Sequence, residues 1–424
     1  MSNIQKIAVL GSGGREHAIA WKLAQDLGQD AIFVLPGNAV IPNSHAIDIA
    51  DFDAIQSFCL AHDIHWIFVG PEQALADGIV DYFQDSTIQV LGPDAASAKL
   101  ESSKILSKEF MLRHGVATAP FIKFNCISDG QEFIESLNDS FVIKLDGLAG
   151  GKGVFVCDNK QEGLEALDVL KKKYGNNVSF LVEDKIIGDE ISIIGFTDGK
   201  NIQLLQPSQD HKQLLDGDLG PNTGGMGAYC PVPFWNKKLA DDIQEQIIQP
   251  TLKGIQSEAM NYRGIIYFGI MISEGGPFLL EYNVRLGDPE TEVLLPSLKS
   301  SLVDLMEATL TEQLDSIHLE FEEGFFVDIV LASGGYPSTY PIGLPIKIQA
   351  MSPDITLFYA GVTKENNNLV TNGGRVINLV GHGDSLAQAI EKAYANIKNI
   401  SFAQMYFRKD IGLRKNQFLK NYAR

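Results

Sequence analysis

The stretch that most restricts how this chain can fold is FVIKLDGLAGGKGVFVCD, from Phe141 to Asp158. Two apolar runs, Phe141-Val142-Ile143 and Val154-Phe155-Val156, flank a loop that holds Gly147, Gly150, Gly151 and Gly153. β-Branched and aromatic residues on both sides of a glycine-rich connection predict a hairpin, and this connection is too long for a tight turn. Glycines let backbone N–H groups converge on an anion with no side chain in the way. Lys144 closes the first strand and Lys152 sits in the loop, adding two ammonium groups. The hairpin reads as a flap over phosphates. A P-loop needs four residues between its glycine and a Gly-Lys pair followed by Ser or Thr, and Gly147, Gly151-Lys152 and Gly153 do not meet that spacing. A kinase glycine loop precedes its lysine, whereas Lys144 comes first here. A flexible surface hairpin is the remaining alternative, and the two lysines weigh against it.

At 424 residues, two to four domains are expected rather than one core. Acidic residues outnumber basic ones, 53 to 34, for a formal charge of −19. Such a chain repels nucleic acid and anionic membranes unless a local basic patch overrides the field. Cys59, Cys126, Cys157 and Cys230 are scattered, with neither a metal spacing nor a disulfide framework, which suits a reducing cytosol. With no N-terminal signal and no long apolar run, a soluble cytoplasmic protein is expected.

The chain starts with a βα unit. Lys6 to Leu10 reads as a buried strand, and Gly11-Ser12-Gly13-Gly14-Arg15-Glu16-His17 feeds a helix from Ala18 to Leu27. A glycine turn at a helix N-terminus is an anion site. It is a poor dinucleotide fingerprint, because Glu16 takes the third glycine position and the second strand, Ala31 to Leu35, runs into Pro36-Gly37-Asn38 with no acid for a ribose. Strands at Trp66 to Val69 and Gln89 to Leu91 end in Gly70-Pro71-Glu72 and Gly92-Pro93. These small-residue turns mark one carboxyl edge of a parallel sheet, where ligands bind. Arg15, Asn38 and Glu72 either line that crevice or, for the last two, serve as turn and helix-cap residues.

A helix is expected from Asp94 through Leu112, with Lys104 placed to reach a nucleotide phosphate or simply to face solvent. After the flap, a helix around Glu162 to Tyr174 and a strand at Phe180 to Glu183 lead into Asp184-Lys185-Ile186-Ile187-Gly188-Asp189-Glu190. Backbone groups at such a hinge suit an adenine edge, with Ile186 against the ring and Glu190 accepting from ribose hydroxyls. Next come Ser208-Gln209-Asp210-His211-Lys212 and a long segment, Asp216 to Tyr229, containing Pro221-Asn222-Thr223-Gly224-Gly225-Met226. A long ordered loop inside a compact domain is usually functional. Asp210-His211-Lys212 has no nucleophile elbow to serve, so substrate contact fits it better.

The strand Phe278 to Arg285 carries the decisive chemistry. Its period of two puts Glu281, Asn283 and Arg285 on one face. A carboxylate and an amide oxygen are hard ligands suited to Mg2+ bridging nucleotide phosphates, and Mn2+ fits the same set. Arg285 beside them suits transferring phosphoryl oxygens. Gly287-Asp288-Pro289-Glu290-Thr291 then opens a helix with side chains for an amine. Beyond it, a strand is expected at Phe326 to Leu331, a turn at Asn372-Gly373-Gly374-Arg375, and an amphipathic helix at Ser385 to Ile397. His382 reads as a cap-region residue of that helix. Arg375 either faces the crevice or stabilises a hairpin.

These motifs together resemble the phosphoribosylamine–glycine ligases (glycinamide ribonucleotide synthetases), ATP-grasp enzymes of purine biosynthesis. The resemblance runs through GSGGREHA at Gly11, VGPE at Val69, KLDGLAGGKGV at Lys144, SQDHK at Ser208, GPNTGGMGAY at Gly220, EYNVRLGDPET at Glu281 and TNGGRV at Thr371. It implies an α/β fold: an N-terminal open parallel sheet (1–102), an ATP-grasp core (103–325) with a lid at about 123–194, and a C-terminal α+β domain (326–424). It implies ATP clamped between the flap and the Glu281 strand, Lys144, Lys152 and Arg285 as catalytic cations, and phosphoribosylamine near the N-terminal sheet edge. Glycine and phosphoribosylamine would be the small-molecule partners, and the chain a possible monomer. Gln213, Leu286 and Lys185 depart from the family's usual residues, and Phe268-Gly269 stands where many ATP-grasp enzymes place an acidic metal ligand. An ATP-grasp carboxylase and, more distantly, an NAD-linked oxidoreductase are the alternatives.

Overall fold

The structure is a computed structural model that describes residues 5–148, 150 and 153–422. Its first four strands, Ile7–Gly11, Ile32–Pro36, Trp66–Val69 and Gln89–Pro93, are parallel. The strands at Ile7 and Trp66 are buried throughout, which is why their sequences run apolar without alternation. They do not form a sheet of their own. Tyr262–Ser273 pairs antiparallel with Gln89–Pro93 and joins Asp189–Thr197, Ile202–Leu204 and Gly276–Asn283 to give one eight-stranded sheet. The strand Gly276–Asn283, with Glu281 near its end, is thereby tied to the parallel half of the sheet.

A four-stranded sheet, ordered Phe121–Phe124, Phe180–Asp184, Phe141–Leu145 and Val154–Cys157, stands apart with the helices Ile127–Ser136 and Lys160–Tyr174. Its core, including Ile134, Phe141, Ile143, Leu170 and Phe180, is separate from the others. The flap hairpin pairs as expected, Phe141 opposite Cys157. The expected lid runs to about 194, but Asp189–Thr197 belongs to the eight-stranded sheet, its residues buried against Tyr262–Ser273.

The third sheet, of six strands, mixes distant parts of the chain. Gln209–Asp210 and Gly227–Cys230 pair with each other, and Gly227–Cys230 pairs with Phe325–Ser333. Arg375–Gly383, Ile355–Tyr359 and Met405–Tyr406 complete it, with helix Leu386–Ile397 packed on top behind its Ser385 cap. The segment from Asp216 to Tyr229, expected as one long loop, therefore holds Leu219–Asn222, paired in a hairpin with the preceding Gln213–Leu215, and most of a sheet strand. His382 is no helix cap. It lies in a strand, stacked on Phe326.

The helix expected from Asp94 to Leu112 is broken. Lys99–Ser102 ends at Ser103, whose extended backbone and side-chain bond to the Leu106 N–H start a new helix, Lys104–His114. The break turns Lys104 into a first-turn residue facing the cleft.

His17, in the first glycine-rich motif, joins the parallel half to the third sheet: its Nδ1 accepts from the Tyr359 N–H at 2.9 Å. Burial holds the ring neutral, lowering its pKa from 6.5 to about 4. The unfolded chain thus binds the extra proton, so this contribution is complete above pH 6.5 and is lost as pH falls through 4. At about 1.4 kcal/mol per pH unit it amounts to roughly 3 kcal/mol. Urea midpoints at neutral and acid pH should therefore differ less in His17→Gln than in the parent chain. An identical acid loss in the two would remove His17 as its source.

Candidate active site

The three sheets surround a cleft of about 540 Å³. Its floor is built by lysines. Lys144, at the end of its strand, is buried and donates to the Leu280 carbonyl at 3.0 Å. That carbonyl belongs to the extra residue of a bulge, since Glu281 pairs with Gly269 but Leu279 with Ile270. Lys144 and Lys108 lie 2.5 and 2.6 Å from the two oxygens of Glu183. Glu183 opens the hinge whose backbone groups are expected at an adenine edge, and its side chain is committed to those lysines. Burial lowers the Lys108 pKa to about 8, against the opposing pull of Glu183. Removing one partner of a buried ion cluster strands the rest, at a cost of about 3–5 kcal/mol. Glu183→Ala should accordingly fall well below the parent in urea midpoint. A variant as stable as the parent would show that the two lysines need no carboxylate.

Glu281 faces Lys104 at 3.3 Å. Burial alone would raise its carboxyl, yet Lys104, Lys212 and Lys144 outweigh that and hold it far below the ordinary carboxylate range. Arg285 lies past the end of the strand and is fixed on all sides. Its guanidinium reaches Glu72 at 3.1 Å and Glu101 at 3.3 Å, and donates to Asn283 Oδ1 at 3.3 Å and the Leu286 carbonyl at 3.2 Å. Glu101 also accepts from the Val284 N–H at 2.7 Å, and burial pushes its carboxyl up despite Arg285. Arg15, bonded to the Leu286 carbonyl at 3.1 Å, completes this corner.

On the second wall, Lys212 pairs with Glu190. Burial opposes the lysine's charge, but Glu190 and Asp210 hold its pKa well above the usual value. The Asp210 carboxyl is pushed up to about 7 by burial, with Lys212 pulling the other way. Glu290 accepts from the Tyr267 hydroxyl at 3.0 Å and from Ser192 at 2.9 Å. The third wall is Asp288, 2.8 Å from Arg375, with Asn222, Thr223 and Gly224 beside them. Apolar surface lies at the flap end: Val156, Ile186, Met271 and Leu280 line it, with Val156 52% exposed. Gly150, Gly153 and Asp184 line the same end. Lys185, in the connection after Asp184, reaches Asp158 at 2.6 Å.

Several expected residues stand behind the cleft rather than in it. Asn38 is a turn residue: its Nδ2 donates to the Ser12 and Tyr359 carbonyls at 3.0 and 2.9 Å, and its Oδ1 accepts from Val40 and Ile41. Gly13 donates its N–H to Glu16, and Gly14 admits no Cβ, which would meet Glu292 at 2.6 Å. Gly225, at φ +111°, lies against Pro289, where a Cβ would come within 2.3 Å. Met226 and Thr291 are wholly buried, the latter bonded to the Gly287 carbonyl, while Pro221 faces solvent on the hairpin. Gly151 and Lys152 lie outside the described residues. Sequence reasoning missed Glu101 and Tyr267, which reach the cleft only through pairing between distant segments.

The cleft thus brings together a fixed arginine, an ionised carboxylate among lysines and glycines of the flap. Models of the phosphoribosylglycinamide synthetase domains match along the chain: the N domain at residues 5–101, the ATP-grasp (A) domain at 102–291 and the C domain at 326–414. A phosphoribosylamine–glycine ligase of Fusobacterium nucleatum is 41% identical over 419 residues, covering 96% of this chain and 98% of that protein. The chain belongs to the phosphoribosylglycinamide synthetase family. A crystal structure of the Thermotoga maritima phosphoribosylamine–glycine ligase superposes with a TM-score of 0.82 at 34% identity, over 96% of this chain and all of that one. The chicken trifunctional purine biosynthetic protein adenosine-3 is 42% identical over 98% of this chain, which spans 42% of that larger protein. A biotin carboxylase from Campylobacter jejuni, at 15% identity and a TM-score of 0.71, shares the fold. Synthetase departures in this chain are accommodated locally: Gln213 donates to Asn222 Oδ1 at 3.3 Å, and Leu286 is buried. No helix among the described residues is long and apolar enough to cross a membrane.

Proposed function

We propose that this chain joins 5-phosphoribosylamine to glycine at the expense of ATP, giving glycinamide ribonucleotide, ADP and phosphate on the route to purines. One observation carries the reading: Lys104, Lys144 and Arg285 converge on Glu281 and Asn283 beneath the glycine flap. The three-part division at 1–102, 103–325 and 326–424 goes with it, as does action in the cytoplasm as a single chain.

The nucleotide lies with its adenine on Ile186 and Val156, its ribose toward Glu190 and its phosphates over Lys144 and Lys104. By the family resemblance, Lys152 and Gly151 would serve the phosphates as well. The residues fit a divalent ion: Glu281 is held ionised by its lysine neighbours, and Asn283 adds a neutral oxygen. When bound, Mg2+ neutralises charge on the phosphates, and we favour it over Mn2+ as the physiological ion.

A glycine carboxylate oxygen attacks the γ-phosphorus and ADP leaves with the electron pair of the broken P–O bond, giving glycyl phosphate. Arg285, fixed between Glu72 and Glu101, meets the equatorial oxygens without reorganising. The phosphoribosylamine nitrogen then attacks the acyl carbon. Inorganic phosphate leaves, and the nitrogen gives up one proton as the amide forms. Asp210 and Asp288 put carboxyl groups beside these amines, with Lys212, Arg375, Asn222 and Thr223 lining the same walls. ADP release assayed with glycine and freshly made phosphoribosylamine, each alone and both together, tests this. Release that needs both supports the ligase. Release that follows bicarbonate instead would make the chain a carboxylase.

A further inference from the structure

The hairpin Gln213–Leu215 with Leu219–Asn222 has two feet in the cleft, Lys212 at one end and Asn222–Gly224 at the other. It is poorly equipped to stand by itself. It is a two-stranded unit, Leu215 and Leu219 are 43% and 63% exposed, and Asp218 at its tip sits at φ +56°. An isolated two-stranded hairpin is at best marginally stable in water.

What fixes it is the chain from Tyr406 to Arg414. The Tyr406 hydroxyl donates to the Leu214 carbonyl at 2.8 Å, and Arg408 donates to the Gln213 carbonyl at 3.0 Å. The Lys409 N–H donates to Asp216 at 2.8 Å, and the Gly217 N–H to Asp410 at 2.7 Å. Asp218 is the hub: Arg408 reaches it at 3.0 Å, and Arg414 grips both its oxygens at 2.8 and 2.9 Å. The Arg408 side chain is wholly buried, so this is a built ion cluster and not a surface contact. A bidentate guanidinium–carboxylate pair fixes orientation as well as distance. At the foot, Thr223 donates both its N–H and its hydroxyl to the Lys212 carbonyl, so movement at the tip is carried to the cleft wall.

We propose that the segment 406–414 is a strap whose Arg408–Asp218–Arg414 cluster positions the Asn222–Gly224 wall for the amine substrate. Arg408, Arg414 and Asp218 are positioning residues that touch no substrate. The inference rests on the reading of that wall as the phosphoribosylamine site. A displacement of about 1 Å at a substrate wall can cost about a hundredfold. The nucleotide half of the cleft is built on the eight-stranded sheet and the lid, with which the described residues of 406–414 share no strand pairing, and it meets the hairpin's foot at the Lys212–Glu190 pair.

The test compares KM values in the full chain for Asp218→Asn, Arg414→Met and Arg414→Lys, with Asp288→Asn as a probe of the wall itself. The expected result is a phosphoribosylamine KM at least tenfold higher in Asp218→Asn and Arg414→Met, an ATP KM within about threefold of the parent, and partial recovery in Arg414→Lys. Arg414→Met, at a partly exposed side chain, serves if Asp218→Asn does not fold. A parallel rise of both KM values, or no recovery in Arg414→Lys, would make the cluster merely structural and overturn the proposal. If Asp288→Asn raises the amine KM and the strap variants do not, the strap fails while the site stands. If none of them raises it, the site reading fails and the strap with it.

Discussion

Replacing Arg285 with lysine is expected to lower kcat roughly 10²–10³-fold, the cost of removing one preorganised donor from a developing anion. The guanidinium makes four contacts at once, to Glu72, Glu101, Asn283 Oδ1 and the Leu286 carbonyl. An ammonium is a compact point charge and cannot span them in one plane. It still leaves a cation between two carboxylates, so the fold should survive with a melting temperature shifted by only a few degrees. Steady-state ADP release and a thermal melt on the same preparation check this. Near-parent turnover in Arg285→Lys would mean that charge alone matters there and that the transferring group lies elsewhere.

Glu281→Gln should have the second-largest effect and a different signature. The parent carboxylate is held ionised by Lys104, Lys212 and Lys144 even though burial opposes it. The amide keeps the shape and removes the charge. Turnover should drop about a hundredfold, and the Mg2+ titration midpoint should move steeply upward. Binding of metal-free ADP should hold or tighten, because the three lysines then face the phosphates with no internal carboxylate competing. Equilibrium binding of ADP with and without Mg2+ separates these effects. An unchanged Mg2+ titration would place the metal away from Glu281.

Much of this site was legible because its signals are local. The strands at Ile7 and Trp66 read as buried runs, the flap as two apolar runs around glycines, and Glu281 with Asn283 as neighbours on one face of a strand. Alternation alone did not foresee the bulge at Leu280, which frees a carbonyl for Lys144. The Ser103 break was hidden because serine is tolerated inside a helix, and only its bonds to Leu106 and Asp146 decide for a cap.

The larger misses are non-local. Gly227–Cys230 looked like part of a loop because its four residues carry little pattern, yet its partner is Phe325–Ser333 nearly a hundred residues on. The side-chain role of Glu183 was not legible, because the two lysines that claim it come from a helix and from another strand. Asn38 was legible as a turn residue after a proline–glycine pair, one of its two readings, but not its side chain's bond to a carbonyl of Tyr359 from the far end of the chain. Each of these identities is set by a partner that sequence spacing does not reveal.

The central claim is that glycine itself accepts the phosphoryl group. Cys59, Cys157 and Cys230 are buried, and burial pushes their thiols up to about 12, 11 and 12, which makes poor nucleophiles of them. His211 is buried and held neutral, its pKa lowered to about 3. Turnover with glycine carrying 18O in its carboxylate tests the claim directly. The account predicts one labelled oxygen in inorganic phosphate per turnover, with ADP as the other nucleotide product. Unlabelled phosphate would mean that water or the protein takes the phosphoryl group, and the acyl-phosphate route would be wrong.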